Sequence, residues 1–501
     1  MKHEGYTSFR QQMRKIADIE YAAAVLEWDK EVNLPQKGAP IRGQQTATLY
    51  GLAHEYFTAP TFGALLADLH QNGADLSAKE RRNIELSLHD YQRKSCLASD
   101  FVVRRSALVS KGYHAWLAAR KANDYSVFEP ALADLVAIKR EEAEQLGYAG
   151  HPYNALLQEF EPNTTTQELD VLFEDVKTQL IDFVKHLKQQ PQVDDQFLHQ
   201  PFDKDKQWAF GLEVLKRMGY DFQAGRQDLS PHPFTINFGP SDVRVTTRID
   251  EQGFTSMTWS CIHEGGHALY EQGLPEADYG LPTGRYLSLG IHESQSRLWE
   301  NNVGRMLPFW EANYSLLQEY FPKQLDGISV EQFVRAINKV SPSLIRIESD
   351  ELHYHFHILI RYELEKALVE GSLSTKELGA AWNAKYKAYL GVDVPDDNQG
   401  VLQDIHWAHG SLGYFPTYSL GSFYAAQFYQ QAEQDLPNLN AQIRAGDNTA
   451  LLSWLRENIH QHGRYFTAQD LCTRITGSPL RFEQFMDYAK AKYSWVYGLS
   501  S

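Results

Sequence analysis

Two histidines four residues apart, with a glutamate directly after the first, stand in the run Cys261-Ile-His-Glu-Gly-Gly-His-Ala-Leu-Tyr270. On a helix, His263 and His267 leave the same face one turn apart, so both imidazoles can grip one metal ion. Glu264 points about 100° round the helix from His263. That direction is wrong for a third ligand from the same turn, yet it keeps the carboxylate close enough to take a proton from a water that the metal activates. An HExxH string so arranged has the geometry of a zinc peptidase, in which the metal lowers the pKa of water to about 7 and a carboxylate acts as general base.

The elements that must hold these groups follow from the flanking residues. Residues 255–272 read as one helix, with Thr255 or Ser256 as cap, Gly273 as stop and Pro275 just beyond. Gly265 and Gly266 then lie inside it, each costing about 1 kcal/mol relative to alanine. Two such residues imply close backbone approach, from a packed helix or from a ligand. A catalytic zinc wants a third protein ligand and an open position. Glu271 is on the right face but about 12 Å along the axis from His263, too far to share the ion. Residue 273 is Gly, where a metzincin needs His. A second helix over 288–303 carries His292, Glu293 and Glu300, while Glu276 and Asp278 fall in the Gly/Pro-rich loop between, where ligands are less well held. Spacing leaves Glu293 or His292 as third ligand, with Glu293 slightly ahead.

HEGGH followed by HESQSRLWE, with 25 residues between His267 and Glu293, resembles the carboxypeptidase Taq family of metallocarboxypeptidases. Further motifs occur in order: HPF at 232–234, DVRVT at 242–246, IRIESD at 345–350, GVLQDIHW at 400–407 and FPTYSLG at 415–421. Any one alone is weak; the ordered set is specific. One departure is Ser349, where the pattern has Ala. The resemblance makes Glu293 the third ligand. It also implies a cytoplasmic homodimer, broad preference for C-terminal residues and poor action on C-terminal Pro. Related HExxH enzymes with a Glu ligand often carry Asp four residues later, where this chain has Arg297. The carboxylate that orients His263 or His267 is therefore open.

A carboxypeptidase must hold a terminal carboxylate, and the arginine fork suits it. Arg244 and Arg346, both in family motifs, are the candidates, with Arg297 and Arg361 behind them. His406 and Tyr418 are the candidate donors to the oxyanion on the attacked carbonyl. His353, His355 and His357 offer a rival metal site, but on a helix only His353 and His357 share a face, and they read as cleft or packing residues. Two strands, 232–238 and 242–249, alternate about Gly239-Pro-Ser. Asp242, Arg244, Thr246 and Arg248 share the polar face, which would line the cleft, and a peptide could add to the hairpin's edge.

Elsewhere the pattern is helical. From Thr165, apolar residues recur at spacings of three and four, behind a Thr165/Glu168 capping box; Ser374 and Glu377 repeat the device before a helix ending at Gly391. Residues 189–206 are the most linker-like stretch, but they are short and keep Phe197 and Phe202. The expected architecture is mainly α: residues 1–501 as a single two-lobed domain with a deep substrate groove, a small antiparallel hairpin or sheet beside the zinc helix, and the catalytic motifs within 232–421. With 43% hydrophobic and 12% aromatic residues the chain can bury a large core. Net charge of −16 argues against nucleic acid or anionic membrane as partner. Met1-Lys-His-Glu-Gly is followed by no apolar h-region and no 18-residue apolar stretch occurs, so neither secretion nor membrane spanning is expected, and three scattered cysteines, Cys96, Cys261 and Cys472, fit a reducing cytoplasm.

The reading is a metallocarboxypeptidase with one Zn2+ per chain (Co2+ as the alternative) on His263, His267 and Glu293. Glu264 is the base, and the substrates are peptides with a free C-terminus. The alternatives are an endo-acting oligopeptidase with the same metal site, or a catalytically silent helical peptide-binding protein.

Overall fold

The computed structural model describes residues 2–499, which are mainly helical with one small sheet. They divide into two compact units, each assembled from three stretches of chain. The first comprises residues up to 95, 194–337 and 424–480; the second comprises 96–193, 338–423 and 481 onward. One boundary, at 193/194, falls inside the linker-like stretch 189–206. Among the described residues, no helix is long and apolar enough to cross a membrane.

In the first unit the sheet has the order β1-β3-β2, formed by β1 (Gln227–Leu229), β2 (Thr235–Asn237) and β3 (Val243–Thr247). The expected hairpin is β2–β3, antiparallel with Ile236 opposite Arg244. Its strands are shorter than alternation suggested. A third strand, β1, runs parallel to β3 and makes the sheet mixed; three residues are too few to leave a periodic signal. Thr246, assigned by alternation to a polar face, is buried: its hydroxyl pairs with Ser230 Oγ at 2.6 Å and accepts from Phe234 N at 3.0 Å. Polarity here reflects a satisfied interior bond rather than contact with water.

Against this sheet lies the helix α2 (Thr255–Gln272), flanked by α1 (Lys204–Met218) and α3 (Leu289–Arg297). The span of α2 matches the sequence reading, but its start does not depend on a Thr or Ser cap. Phe254 occupies the cap position with no side-chain bond. It is fully buried among Phe202, Phe210, Trp310, Phe321 and Phe333, so packing of an aromatic cluster sets where the helix begins. Gly273 closes the helix with a negative φ of −90°. Its lack of a side chain instead admits His460, whose ring would lie 2.3 Å from a Cβ.

Both internal glycines answer to packing. At Gly266 a Cβ would meet Ser296 Cα at 2.6 Å and Gln295 O at 2.7 Å, the backbone of α3. At Gly265 it would meet Leu215 Cδ2 at 2.7 Å and Met218 Cε at 3.1 Å, side-chain ends on α1. Ser288 caps α3 by accepting from Ile291 N at 3.1 Å. The helix then continues as a π-helical segment, Leu298–Val303, which carries Glu300.

In the second unit both capping boxes form, at Thr165/Glu168 and at Ser374/Glu377. The helix α4 (His353–Glu370) buries all three of its histidines completely. They serve packing and local bonds: His353 Nδ1 pairs with Asp350 at 2.6 Å, His355 lies against Phe423 and Phe485, and His357 Nδ1 bonds Tyr386 OH at 2.9 Å.

Gly266→Ala should therefore destabilise the metal-free protein by about 1–3 kcal/mol, since backbone must move to admit the methyl. Gly265→Ala meets only flexible side chains and recovers about 1 kcal/mol of helix propensity, so its net effect should be small. Thermal or denaturant unfolding of the two variants tests this ordering.

Candidate metal centre and associated polar clusters

Helix α2 presents His263, Glu264 and His267, and α3 presents Glu293 between the two histidines. One donor atom from each of His263, His267 and Glu293 lies within 4.8 Å of the others. Glu293 Oε2 stands 3.8 Å from His263 Nε2 and 3.4 Å from His267 Nε2. The two imidazoles are nearly perpendicular, at 87°, with centroids 5.0 Å apart.

The remaining atoms of these side chains are held from behind. His263 Nδ1 donates to Glu300 Oε2 at 2.8 Å, which identifies the carboxylate that sequence spacing left open. Arg297 donates to Glu293 Oε1 at 2.7 Å and to Glu300 Oε2 at 3.1 Å, and Arg305 donates to Glu300 Oε1 at 3.2 Å. Arg297 thus fixes both glutamates at once, while Glu300 supplies the carboxylate behind His263. Burial pushes the Glu293 and Glu300 carboxyls upward, but Arg297 and the histidines outweigh it and hold both well below the usual range. Glu300 lies seven residues after Glu293, two turns along the same face. That spacing was the available signal, masked because either glutamate could have been an ordinary surface residue.

Glu264 is also buried, and Thr235 on β2 donates to its Oε2 at 2.7 Å. Burial pushes its carboxyl above the usual glutamate range, with His263 and the Thr235 bond partly offsetting it. His267 is pushed down to about 3 by burial and by neighbouring His292, so it is neutral.

Arg244 on β3 belongs to this unit too. Its Nε and Nη2 form a fork with Asp242 at 2.9 and 2.8 Å, and its guanidinium stacks over Trp28 at 4.3 Å. The second unit holds Arg346, His406 and Tyr418. Arg346 donates twice to Asp404 Oδ1, at 3.0 and 2.9 Å, and once to Tyr354 OH at 3.1 Å. Asp404 also accepts from Arg361 Nε at 2.6 Å, and the charges of Arg346 and then Arg361 hold its carboxyl far below the usual range despite burial. His406 Nε2 and Tyr418 OH are 3.0 Å apart. Burial pushes His406 down to about 3, Asp404 opposing and Arg346 and Arg361 adding to the fall. Asp404 lies inside GVLQDIHW and Thr235 directly after HPF, but neither carried a type-specific sign of its role.

Residues 8–493 match the family model described as Carboxypeptidase Taq (M32) metallopeptidase. The chain belongs to the carboxypeptidase Taq (M32) family. It is a metal-dependent carboxypeptidase, a peptidase and hydrolase. Carboxypeptidase 1 of Bacillus subtilis is 38% identical over 99% of each chain. Thermostable carboxypeptidase 1 of Thermus thermophilus is 39% identical over 98% of this chain and 99% of its own. The crystal structure of the M32 carboxypeptidase from Deinococcus radiodurans R1 superposes with a TM-score of 0.97 at 37% identity, covering 99% of this chain and 100% of that one.

A metallopeptidase of this family needs a metal, and the donor set fits one. Two ligands about 2.1 Å from a tetrahedral ion lie about 3.4 Å apart, close to the spacings of Glu293 Oε2 from the two Nε2 atoms. Both histidines have Nδ1 engaged elsewhere, which turns their Nε2 lone pairs inward. Glu300→Ala should leave Arg297 and Arg305 short of a partner and His263 free to rotate. Competition with a chelator should show metal affinity lowered by about 10- to 100-fold, with the protein still folded.

Proposed function

We propose that this carboxypeptidase hydrolyses the C-terminal peptide bond of peptides and proteins with broad side-chain acceptance. One Zn2+ per chain, with Co2+ as the alternative, would be held by His263, His267 and Glu293. The observation that carries the reading is the convergence of two imidazole Nε2 atoms on one carboxylate oxygen, beside a buried glutamate aimed by a threonine. A two-nitrogen, one-oxygen set suits zinc or cobalt and supplies Lewis acidity that polarises the scissile carbonyl and acidifies water.

The chain's own groups account for the other steps. Glu264 takes the proton of the attacking water and returns it to the leaving amine. Thr235 limits the directions its carboxylate can adopt. His406 and Tyr418, 3.0 Å apart, are the donors to the oxyanion on the attacked carbonyl. The terminal carboxylate is bound by Arg346 or Arg244. Arg346 is favoured, because its guanidinium lies 5.0 Å from the Tyr418 ring centroid and the two groups they serve are one residue apart in a substrate. Cytoplasmic location and homodimeric assembly complete the proposal, resting on the family resemblance and, for location, on three cysteines that form no disulfide.

Glu264→Gln keeps the shape of the side chain but cannot accept the proton. Its kcat should fall by at least about 10²-fold with metal content unchanged, measured on metal-loaded protein. Normal turnover would show the base to be elsewhere. Amidating a peptide's C-terminus should lower kcat/KM by roughly 10- to 100-fold, the equivalent of one lost charged hydrogen bond of about 1.5–3 kcal/mol. Arg346→Ala should impose a similar loss on free-acid peptides and little more on amides, since that pair is already broken. Equal cleavage of both peptides, at internal bonds, would point to an endopeptidase.

A further inference from the structure

His292 and Glu271 are left without a role by the ligand set, yet both stand directly behind His267. Glu271 closes α2 and is buried; His292, on α3, is largely buried. Glu271 Oε1 lies 2.8 Å from His292 Nε2. His292 Nδ1 lies 2.6 Å from His267 Nδ1, and the same His267 nitrogen is 3.1 Å from His292 O. The His292 ring is seated against Tyr270 and Tyr286, with centroids 5.3 and 4.9 Å away.

These distances allow one consistent placement of protons. A carboxylate has none to give, so His292 donates to Glu271 from Nε2. His292 O can only accept, so His267 Nδ1, 3.1 Å from it, carries a proton, and His292 Nδ1 faces that proton with its lone pair. Two nitrogens 2.6 Å apart need one proton between them, and it must come from His267 Nδ1. His267 Nε2 then carries the lone pair that faces Glu293 Oε2.

We propose that Glu271 and His292 are positioning residues that fix His267 as its Nδ1–H tautomer and so present Nε2 for metal binding. The inference rests on His267 and Glu293 being ligands. It also explains an asymmetry between the two histidines: His263 meets its carboxylate directly, at Glu300, whereas His267 meets one through an intervening imidazole. His292 is thus next to the metal site without belonging to its ligands.

The decisive comparison is His292→Phe against His292→Asn, with Zn2+ as probe. Phe keeps a ring against Tyr270 and Tyr286 but offers no acceptor; Asn gives up the ring but can place Oδ1 where Nδ1 stood. Zinc dissociation constants and rates of zinc transfer to a chelator are measured beside the unfolding temperatures of the metal-free proteins. His292→Phe should weaken zinc by about 10- to 100-fold at near-parental unfolding temperature, and His292→Asn should recover most of that loss. Parental affinity in His292→Phe, or no advantage of Asn over Phe, would overturn the proposal. Should His292→Phe fail to fold, Glu271→Leu against Glu271→Gln makes the same comparison, since only Gln retains an acceptor for Nε2. Weaker zinc in the Leu variant alone supports the relay, and equal affinities overturn it. His267→Ala and Glu293→Ala serve as controls. Zinc retained in either would show the ligand assignment to be wrong, whereas zinc lost in both but undiminished in His292→Phe would count against the relay alone.

Discussion

Gly266 brings the helix that carries both histidines onto the backbone of the helix that carries Glu293. Ser296 Cα and Gln295 O stand where a side chain would begin, at 2.6 and 2.7 Å from a Cβ. Both atoms lie within three residues of Glu293, so the contact that sets the helix separation also sets how far its carboxylate reaches toward His263 and His267. A glycine costs about 1 kcal/mol inside a helix. Here that cost is offset by an approach no other residue permits, and the donor atoms converge as a consequence.

Such convergence concentrates negative charge. Glu264, Glu293 and Glu300 are all buried around two imidazoles, and unpaired buried carboxylates would shift toward their neutral forms. Arg297 prevents this for two of them by bonding both, and Arg305 adds a second contact to Glu300. At an effective dielectric of about 20, unit charges 4 Å apart interact by about 4 kcal/mol, enough to keep these groups ionised. Among the described residues, no arginine pairs with Glu264. It receives a hydroxyl from Thr235 instead, and its carboxyl stays above the usual range. One cluster therefore holds carboxylates of two kinds: two anions locked in place by arginine, and one whose burial is not offset in that way.

The second unit solves a related problem with the signs exchanged. Arg346 and Arg361 are buried cations, and Asp404 sits between them, accepting from both. The arrangement neutralises part of their charge while orienting Arg346 beside Tyr354 and Tyr418. His406 stays neutral because burial and two nearby guanidiniums oppose a further positive charge. An arginine already bonded on one side still has N–H groups to offer, and its direction is better defined than that of a free side chain.

Sequence alone determined the parts of this protein that depend on local geometry. His263, Glu264 and His267 could be read together because a helix repeats every 3.6 residues, and the span of that helix, 255–272, followed from a Thr/Ser cap, the Gly273 stop and Pro275 beyond it. The capping boxes at Thr165 and Ser374 were legible for the same reason, since a cap is a contact between residues three apart. Spacing left Glu293 and His292 both open. Glu300, Thr235, Asp404 and the Glu271–His292 pair became visible only in the folded chain. Their partners lie 37, 29, 58 and 21 residues away, or are reached through a third side chain. The third strand and the burial of Thr246 were likewise hidden, because a three-residue strand has no period and a hydroxyl looks alike in water and in a satisfied interior bond. Periodicity records which face a residue takes on its own element. Only tertiary packing decides which face of another element meets it.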